Sequence, residues 1–313
     1  MAIERPEQPD GEGRESLHPL LFSIAYRMLG AASDAEDVVQ EAYLRLEQSE
    51  AQGVVVRSNK AYLTAITTRL AIDQLRSARH QRETYYGPWL PEPLVTSPEL
   101  DGAAMFEQSD SISFSFLVLL ERLSPLERAV FLLREVFDYG YDEIGAIVEK
   151  SEANCRQAFS RARKHVDAGK SRFEVSGERQ EQLASSFLAA VQQGEVDRLI
   201  SYLAEDVVFY GDGGGKGRGL PKPVFGAGNV ARLLVGFFEG YRSIGARLTP
   251  APINGHPGVL AFDAEGRLIN VLAFEVVGHF IENVRSVINP DKLGHLGYAL
   301  SPVALADSSP TNR

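Results

Sequence analysis

The chain has 313 residues, 44% of them hydrophobic and 24% charged, with a net charge of −10, which predicts two or more domains with ordinary cores. A single cysteine excludes an internal disulfide and suits a reducing cytoplasm. Cysteine and histidine are too scattered for a zinc site, there is no signal peptide, and the apolar stretch SISFSFLVLLERL is too short to span a membrane.

Residues 1–16 form a polar arm. Ser33-Asp34-Ala35-Glu36 has the spacing of a capping box opening a helix through DAEDVVQEAYLRLEQ. Val38, Ala42, Leu44 and Leu46 supply its apolar positions, and Asp34, Asp37, Gln40 and Glu41 an acidic and polar surface. A long helix follows over KAYLTAITTRLAIDQLRSARHQRE, with Arg69, Asp73, Arg76 and His80 on one face and Leu63, Leu70, Ala71, Ile72 and Leu75 mostly on the other. Arg76, Arg79 and Arg82 crowd its C-terminal end, where the helix dipole favours cations and DNA would accept them.

The next segment, Tyr85-Tyr86-Gly87-Pro88-Trp89-Leu90-Pro91-Glu92-Pro93, holds the only tryptophan and three prolines. It cannot be helical, and its aromatic stiffness predicts docking on another surface rather than a featureless spacer.

Residues 123–166 have the pattern of a helix-turn-helix. Ser124, with Pro125 at N1 and Glu127 at N3, predicts a capped helix carrying Leu126, Val130, Leu132 and Leu133. A break at Asp138-Tyr139-Gly140 precedes a short helix around Glu143–Val148, and Lys150 and Ser151 make the turn. Ser151 is placed to cap the last helix, in which Cys155, Ala158, Phe159, Ala162 and Val166 form the buried stripe. The other side presents Ala153, Asn154, Arg156, Gln157, Ser160, Arg161 and Lys164. Small residues, amides, hydroxyls and cations are the chemistry that enters a major groove, neutralises phosphates and reads base edges.

The C-terminal half begins with helices over Glu181–Gln193, ended by Gly194, and over about Asp197–Ala204. Strand-like runs then follow at Val207–Tyr210, Arg247–Pro250, Val259–Asp263, Leu268–Val277 and Phe280–Ile288. Helices followed by strands argue an α+β domain with a curved antiparallel sheet. Asp206, Asp212, His256 and His279 are its acid-base candidates, and no paired motif joins two of them, so no catalytic residue is assigned. Asp212-Gly213-Gly214-Gly215-Lys216 lacks phosphate-loop spacing and reads as a glycine turn presenting one Asp and one Lys. Asn289-Pro290-Asp291 reads as the turn ending the last strand, with Lys292 beside it.

The blocks DAEDVVQEAYLRL, AYLTAITTRLAIDQLRSAR and LSPLERAVFLLREVFDYGYDEIGAIV…NCRQAFSRAR, in that order, resemble an extracytoplasmic-function sigma factor. The strings WLPEP, DGGGK and NPDKL are similar to signatures of a subgroup with a fused C-terminal SnoaL-like domain, and the strand-rich half resembles that cone-shaped fold. The resemblance implies a multidomain chain: an arm at 1–16, an all-α region 2 domain at 17–84, a linker at 85–112 and an all-α helix-turn-helix region 4 domain at 113–168. A linker at 169–179, a SnoaL-like domain at 180–298 and a tail at 299–313 complete it.

It also implies a division of roles. Asp34, Asp37, Gln40 and Glu41 would dock on the β′ clamp of core RNA polymerase. Arg69, Asp73, Arg76, Arg79 and His80 would serve the −10 element, and Ser151, Ala153, Asn154, Arg156, Gln157, Ser160, Arg161 and Lys164 the −35 element. Where such factors often carry Trp and Asn, this chain has Tyr62 and Arg69. Trp89, Leu90 and Pro91 with Asp212, Gly213, Lys216, Asn289, Asp291 and Lys292 would make regulatory contacts. The expected partners are core polymerase, through its β′ and β subunits, and promoter DNA, with no cofactor and no membrane; a small-molecule ligand of the C-terminal domain is left open. The acidic balance, which speaks against autonomous DNA binding, suits a subunit that borrows its grip from polymerase. A helix-turn-helix regulator with a sensing domain and a SnoaL-type enzyme fused to a DNA-binding module are the alternatives.

Overall fold

The protein is described by a computed structural model over residues 14–83, 85–96, 112–167, 177–216 and 219–296. Residues 1–13 of the expected 1–16 arm and the tail after 298 lie outside the described residues, as do the side chains of Arg79, His80 and Arg82, whereas Arg14–Leu17 form a 3-10 turn. The chain divides into two compact units. Described residues 14–79 and 119–167 make the first; those within 80–96, 112–118 and 177–296 make the second.

The first unit is all helical. Helix α1 (His18–Leu29) is buried along most of its length and stops at Gly30, whose φ of 68° is a left-handed conformation suited to glycine. Ala31 is then extended, so α2 (Ala32–Ala51) starts before Ser33. The capping box expected at Ser33–Glu36 is therefore not formed: both residues lie inside the helix, and Glu36 accepts a hydrogen bond from His18 at 3.1 Å. Ala35, Val38, Val39, Ala42 and Leu46 are buried, whereas Leu44, expected on that side, is 51% exposed. It falls on the stripe of Asp37, Gln40 and Glu41, at the i, i+3, i+4, i+7 spacing of one helix face. Helix α3 (Asn59–Glu83) buries Leu63, Ala71, Ile72 and Leu75 as expected, together with Thr64, Thr67 and Thr68.

Helix α4 (Phe114–Leu120) leads to α5 (Pro125–Glu135), which opens on the expected capping box. Ser124 Oγ accepts from the Glu127 amide, and Glu127 accepts from the Ser124 amide at 3.1 Å. Helix α6 (Tyr141–Val148) ends at Glu149 with φ 56°, and α7 (Glu152–Asp167) follows, with Ser151 Oγ accepting from the Asn154 amide at 3.3 Å.

The second unit wraps a six-stranded sheet, ordered β2-β1-β6-β5-β4-β3. The strands are β1 (Leu203–Asp212), β2 (Val224–Phe225), β3 (Arg247–Ile253), β4 (His256–Phe262), β5 (Leu268–Val277) and β6 (Phe280–Val287). All pairs are antiparallel except β1 with β6, so the sheet is mixed where an antiparallel one was expected. One face packs on α8 (Gly177–Gln193), α9 (Val196–Tyr202) and α10 (Ala227–Ser243) through Phe187, Leu199, Leu234, Phe238, Leu272 and Phe274.

Alternation along a strand sends its other residues to the opposite face, and that face is apolar too. Val271, Ala273, Ile253, Leu268 and Val287 pack there with Leu90 of the linker, Phe114 and Leu293. This explains why β5, LINVLAFEVV, is buried almost without a break. The linker and the start of α4 supply the second cover.

A polar cluster interrupts that face. Arg285 reaches Glu275 at 2.6 Å and Ser115 of α4 at 2.7 Å, and Asn283 donates to Glu275. Burial alone would raise the Glu275 carboxyl, but the Arg285 charge and the hydrogen bonds outweigh it and hold the group below its ordinary 4.5. A depressed folded value adds stability above the ordinary range, and that stability is lost as pH falls through the folded value. The wild type should therefore lose more stability than Glu275→Gln between pH 7 and about pH 4. Equal losses in denaturant melts at the two pH values would refute this.

Candidate functional site

Helix α7 buries Cys155, Ala158, Ala162 and Val166 completely or nearly so, with Phe159 stacked on Phe131. The stripe predicted to be buried therefore is, and Ala153, Asn154, Arg156, Gln157, Ser160, Arg161 and Lys164 are exposed. Two of these cations are already engaged. Arg156 pairs with Glu152 and lies over the Tyr141 ring at 4.4 Å. Arg161 meets Glu127 at 2.7 Å, 34 residues away. Burial opposes the Glu127 charge, yet Arg161 and Ser124 together keep that carboxyl below its usual range. Glu127 thus caps α5 and orients α7 at once, a link between helices that spacing along one helix cannot reveal.

Asp37 and Gln40 of α2 are exposed, Asp34 and Glu41 half-buried, and Glu41 pairs with Arg45 at 2.8 Å. On α3, Asp73 and Arg76 pair with each other at 2.9 Å in the open. Arg69 does not join them. Its guanidinium donates to the carbonyls of Ile147 at 2.7 Å and Ala146 at 2.9 Å, and pairs with Glu149 at 2.8 Å. Exposed Val54 and Val55 sit in the turn before α3, where no periodic pattern marks them.

In the second unit the three signature strings meet. Asp212, fully buried, accepts from the Leu90 amide at 2.8 Å, from the Tyr85 hydroxyl and from Lys292 at 2.7 Å. Lys292 also donates to the Leu90 carbonyl and lies 4.3 Å from the Trp89 ring centre and 4.8 Å from that of Tyr85. A buried ammonium is thus surrounded by a carboxylate, a carbonyl and two aromatic faces. Burial, then Asp212, pushes the Tyr85 phenol far up, and Asn289 donates to its oxygen at 2.9 Å. Gly214 has φ 58°, and a Cβ there would stand 2.3 Å from the Asn289 amide nitrogen, so only glycine closes this turn. Lys216 and Asp291 form an exposed ion pair across the two turns. Gly213 accepts from the Lys216 amide at 3.0 Å, and Pro91 is buried.

Further along, the linker runs as a short strand beside β3. Leu94 and Asn254 exchange hydrogen bonds, Thr96 donates to the Pro252 carbonyl, and Val95 bridges Ile253. Asn254 also reaches the Ile112 carbonyl at 2.8 Å. Asn254-Gly255, with φ 51° and 76°, is the hairpin turn between β3 and β4, and that dipeptide was the available signal for it. His295 meets the Pro93 carbonyl at 2.7 Å. Of the acid-base candidates, Asp212 is consumed by the linker.

A helical unit with a helix-turn-helix, and an α+β unit that holds the segment joining the helical unit's two parts, define a multidomain DNA-reading class of protein. Comparison makes this specific. Residues 14–81 match the Sigma-70 region 2 family and residues 113–166 the Sigma-70 region 4 family. The chain is 35% identical to the ECF RNA polymerase sigma factor SigJ of Mycobacterium tuberculosis, over 96% of each chain. It is 28% identical to the probable ECF sigma factor SigI of the same organism, covering 88% of this chain and 92% of that one. The crystal structure of M. tuberculosis SigJ superposes with a TM-score of 0.71 at 32% identity, covering 90% of this chain and 96% of that chain. The chain belongs to the extracytoplasmic-function RNA polymerase sigma factors, which direct promoter-specific transcription initiation.

Proposed function

We propose that this sigma factor works in the cytoplasm with core RNA polymerase, and that its C-terminal domain modulates it by contact rather than by catalysis. The observation that carries the regulatory reading is the buried clasp of Lys292 and Asp212 on Leu90. The segment joining regions 2 and 4 is folded into the C-terminal domain, so the state of that domain governs how freely the linker extends. The polar face of α2 docks on polymerase through Asp34, Asp37, Gln40 and Glu41. Helix α3 serves the −10 element through Asp73 and Arg76, and α7 reads the −35 element with Ala153, Asn154, Arg156, Gln157, Ser160 and Lys164.

Run-off transcription with purified core enzyme tests the assignment. Arg156→Ala should weaken promoters carrying the native upstream hexamer by about 1–3 kcal/mol if it reads a base. Equal weakening of all promoters would make it a phosphate contact, and an unchanged profile would remove it from the reading set. In the same assay Tyr85→Phe, which loses the hydroxyl bonds to Asp212 and Asn289, should alter output while core binding persists. Wild-type output from that variant would count against regulation through the linker.

A further inference from the structure

Regions 2 and 4 are joined in the first unit by two arginines placed reciprocally. A helix leaves its last carbonyls without partners inside the helix, at the negative end of its dipole. Arg128 of α5 donates to the carbonyl of Met28, at the end of α1, at 2.6 Å. Arg69 of α3 donates to the carbonyls of Ala146 and Ile147, at the end of α6, and adds the pair with Glu149. Each module thus caps a helix of the other.

The two contacts differ in burial. Arg128 is 2% exposed and keeps partners in its own module, Glu121 at 2.8 Å and the Leu120 carbonyl at 2.9 Å. The Arg69 side chain is 36% exposed and Glu149 70% exposed, so water and salt reach this pair. Parting the modules leaves Arg128 still paired with Glu121 and returns Arg69 to solvent, which makes the separation reversible.

We propose that Arg69 is a latch, the releasable half of this reciprocal clamp, holding regions 2 and 4 together in the free protein and letting go when the chain joins core polymerase to engage a promoter. The proposal rests on the readings of α3 and α7 given above. Elements centred near −10 and −35 are about 25 base pairs apart, or roughly 85 Å at 3.4 Å per pair. Helices joined by hydrogen bonds under 3 Å through Arg69 cannot read both. Arg69, expected from the resemblance to serve the −10 element, is held by Ala146, Ile147 and Glu149 instead.

The test uses the full-length chain, free of polymerase, with donor and acceptor dyes at Glu47→Cys and Glu135→Cys, since Cys155 is buried. Wild type should give one high-transfer population at low salt. Arg69→Ala and Glu149→Gln should each raise the low-transfer population several-fold, with Arg69→Lys in between because it lacks the planar fork. Added salt should move wild type toward the variants, and Glu149→Gln should bind core polymerase several-fold faster. The exposed Glu149 change leaves the fold intact and leaves Arg69 available to DNA. Wild-type transfer in both Arg69→Ala and Glu149→Gln would overturn the latch. Lost transcription in Arg69→Ala with unchanged transfer would also overturn it and assign Arg69 to DNA; unchanged transfer would leave the sigma-factor assignment untouched.

Discussion

Lys292→Ala should unfasten the linker and lower the stability of the second unit by about 3–5 kcal/mol, because removing one partner of a buried ion pair strands the other. Asp212 is fully buried, and without the ammonium it keeps only neutral donors. Trp89, the only tryptophan, lies over Lys292 at 4.3 Å, so its fluorescence reports the loss directly. The denaturant midpoint read at Trp89 should drop and the native emission should shift to the red. The double variant Asp212→Asn with Lys292→Met removes both charges and should recover part of the loss. A single variant that melts at the wild-type midpoint would show that the linker is held by its apolar contacts alone, and would remove the clasp as the means of control.

The second large effect is expected on α2. Asp37 is exposed on a helix whose buried side is complete without it, so Asp37→Arg should fold normally. If this face docks on polymerase, charge reversal sets like charges together or strands one of them. The cost is about 3 kcal/mol or more, on the order of a hundredfold in Kd. Co-purification with core enzyme measures it, and wild-type yield would show that the face is merely solvated. Leu44 on the same stripe strengthens the expectation, since interfaces bury apolar residues among polar ones.

Local rules made part of this molecule legible. The box at Ser124 and Glu127 formed because Pro125 fixes the first turn and nothing upstream competes. The box at Ser33 did not, because Gly30 and Ala31 end one helix and start the next two residues earlier. Helix α1 carries no start signal in the sequence, because Leu17 at its N-cap has no capping side chain, and in α10 Gly228, Gly236 and Gly240 mimic loop composition. The parallel pairing of β1 with β6 joins strands far apart in the chain, and no short pattern encodes it. The reach of Arg69 across 78 residues is likewise non-local. The strings around Trp89, Asp212 and Lys292 stood out singly; how they interlock depends on burial that only the fold supplies.

The clasp also has a consequence for how the chain is made. Leu90 and Lys292 are 202 residues apart, and at about 5–20 residues per second a ribosome needs roughly 10–40 s to travel between them. Throughout that interval Leu90 has been synthesised and Lys292, which holds its carbonyl, has not. The clasp cannot close on a truncated or stalled chain, so its closure marks a polypeptide whose translation has passed Lys292.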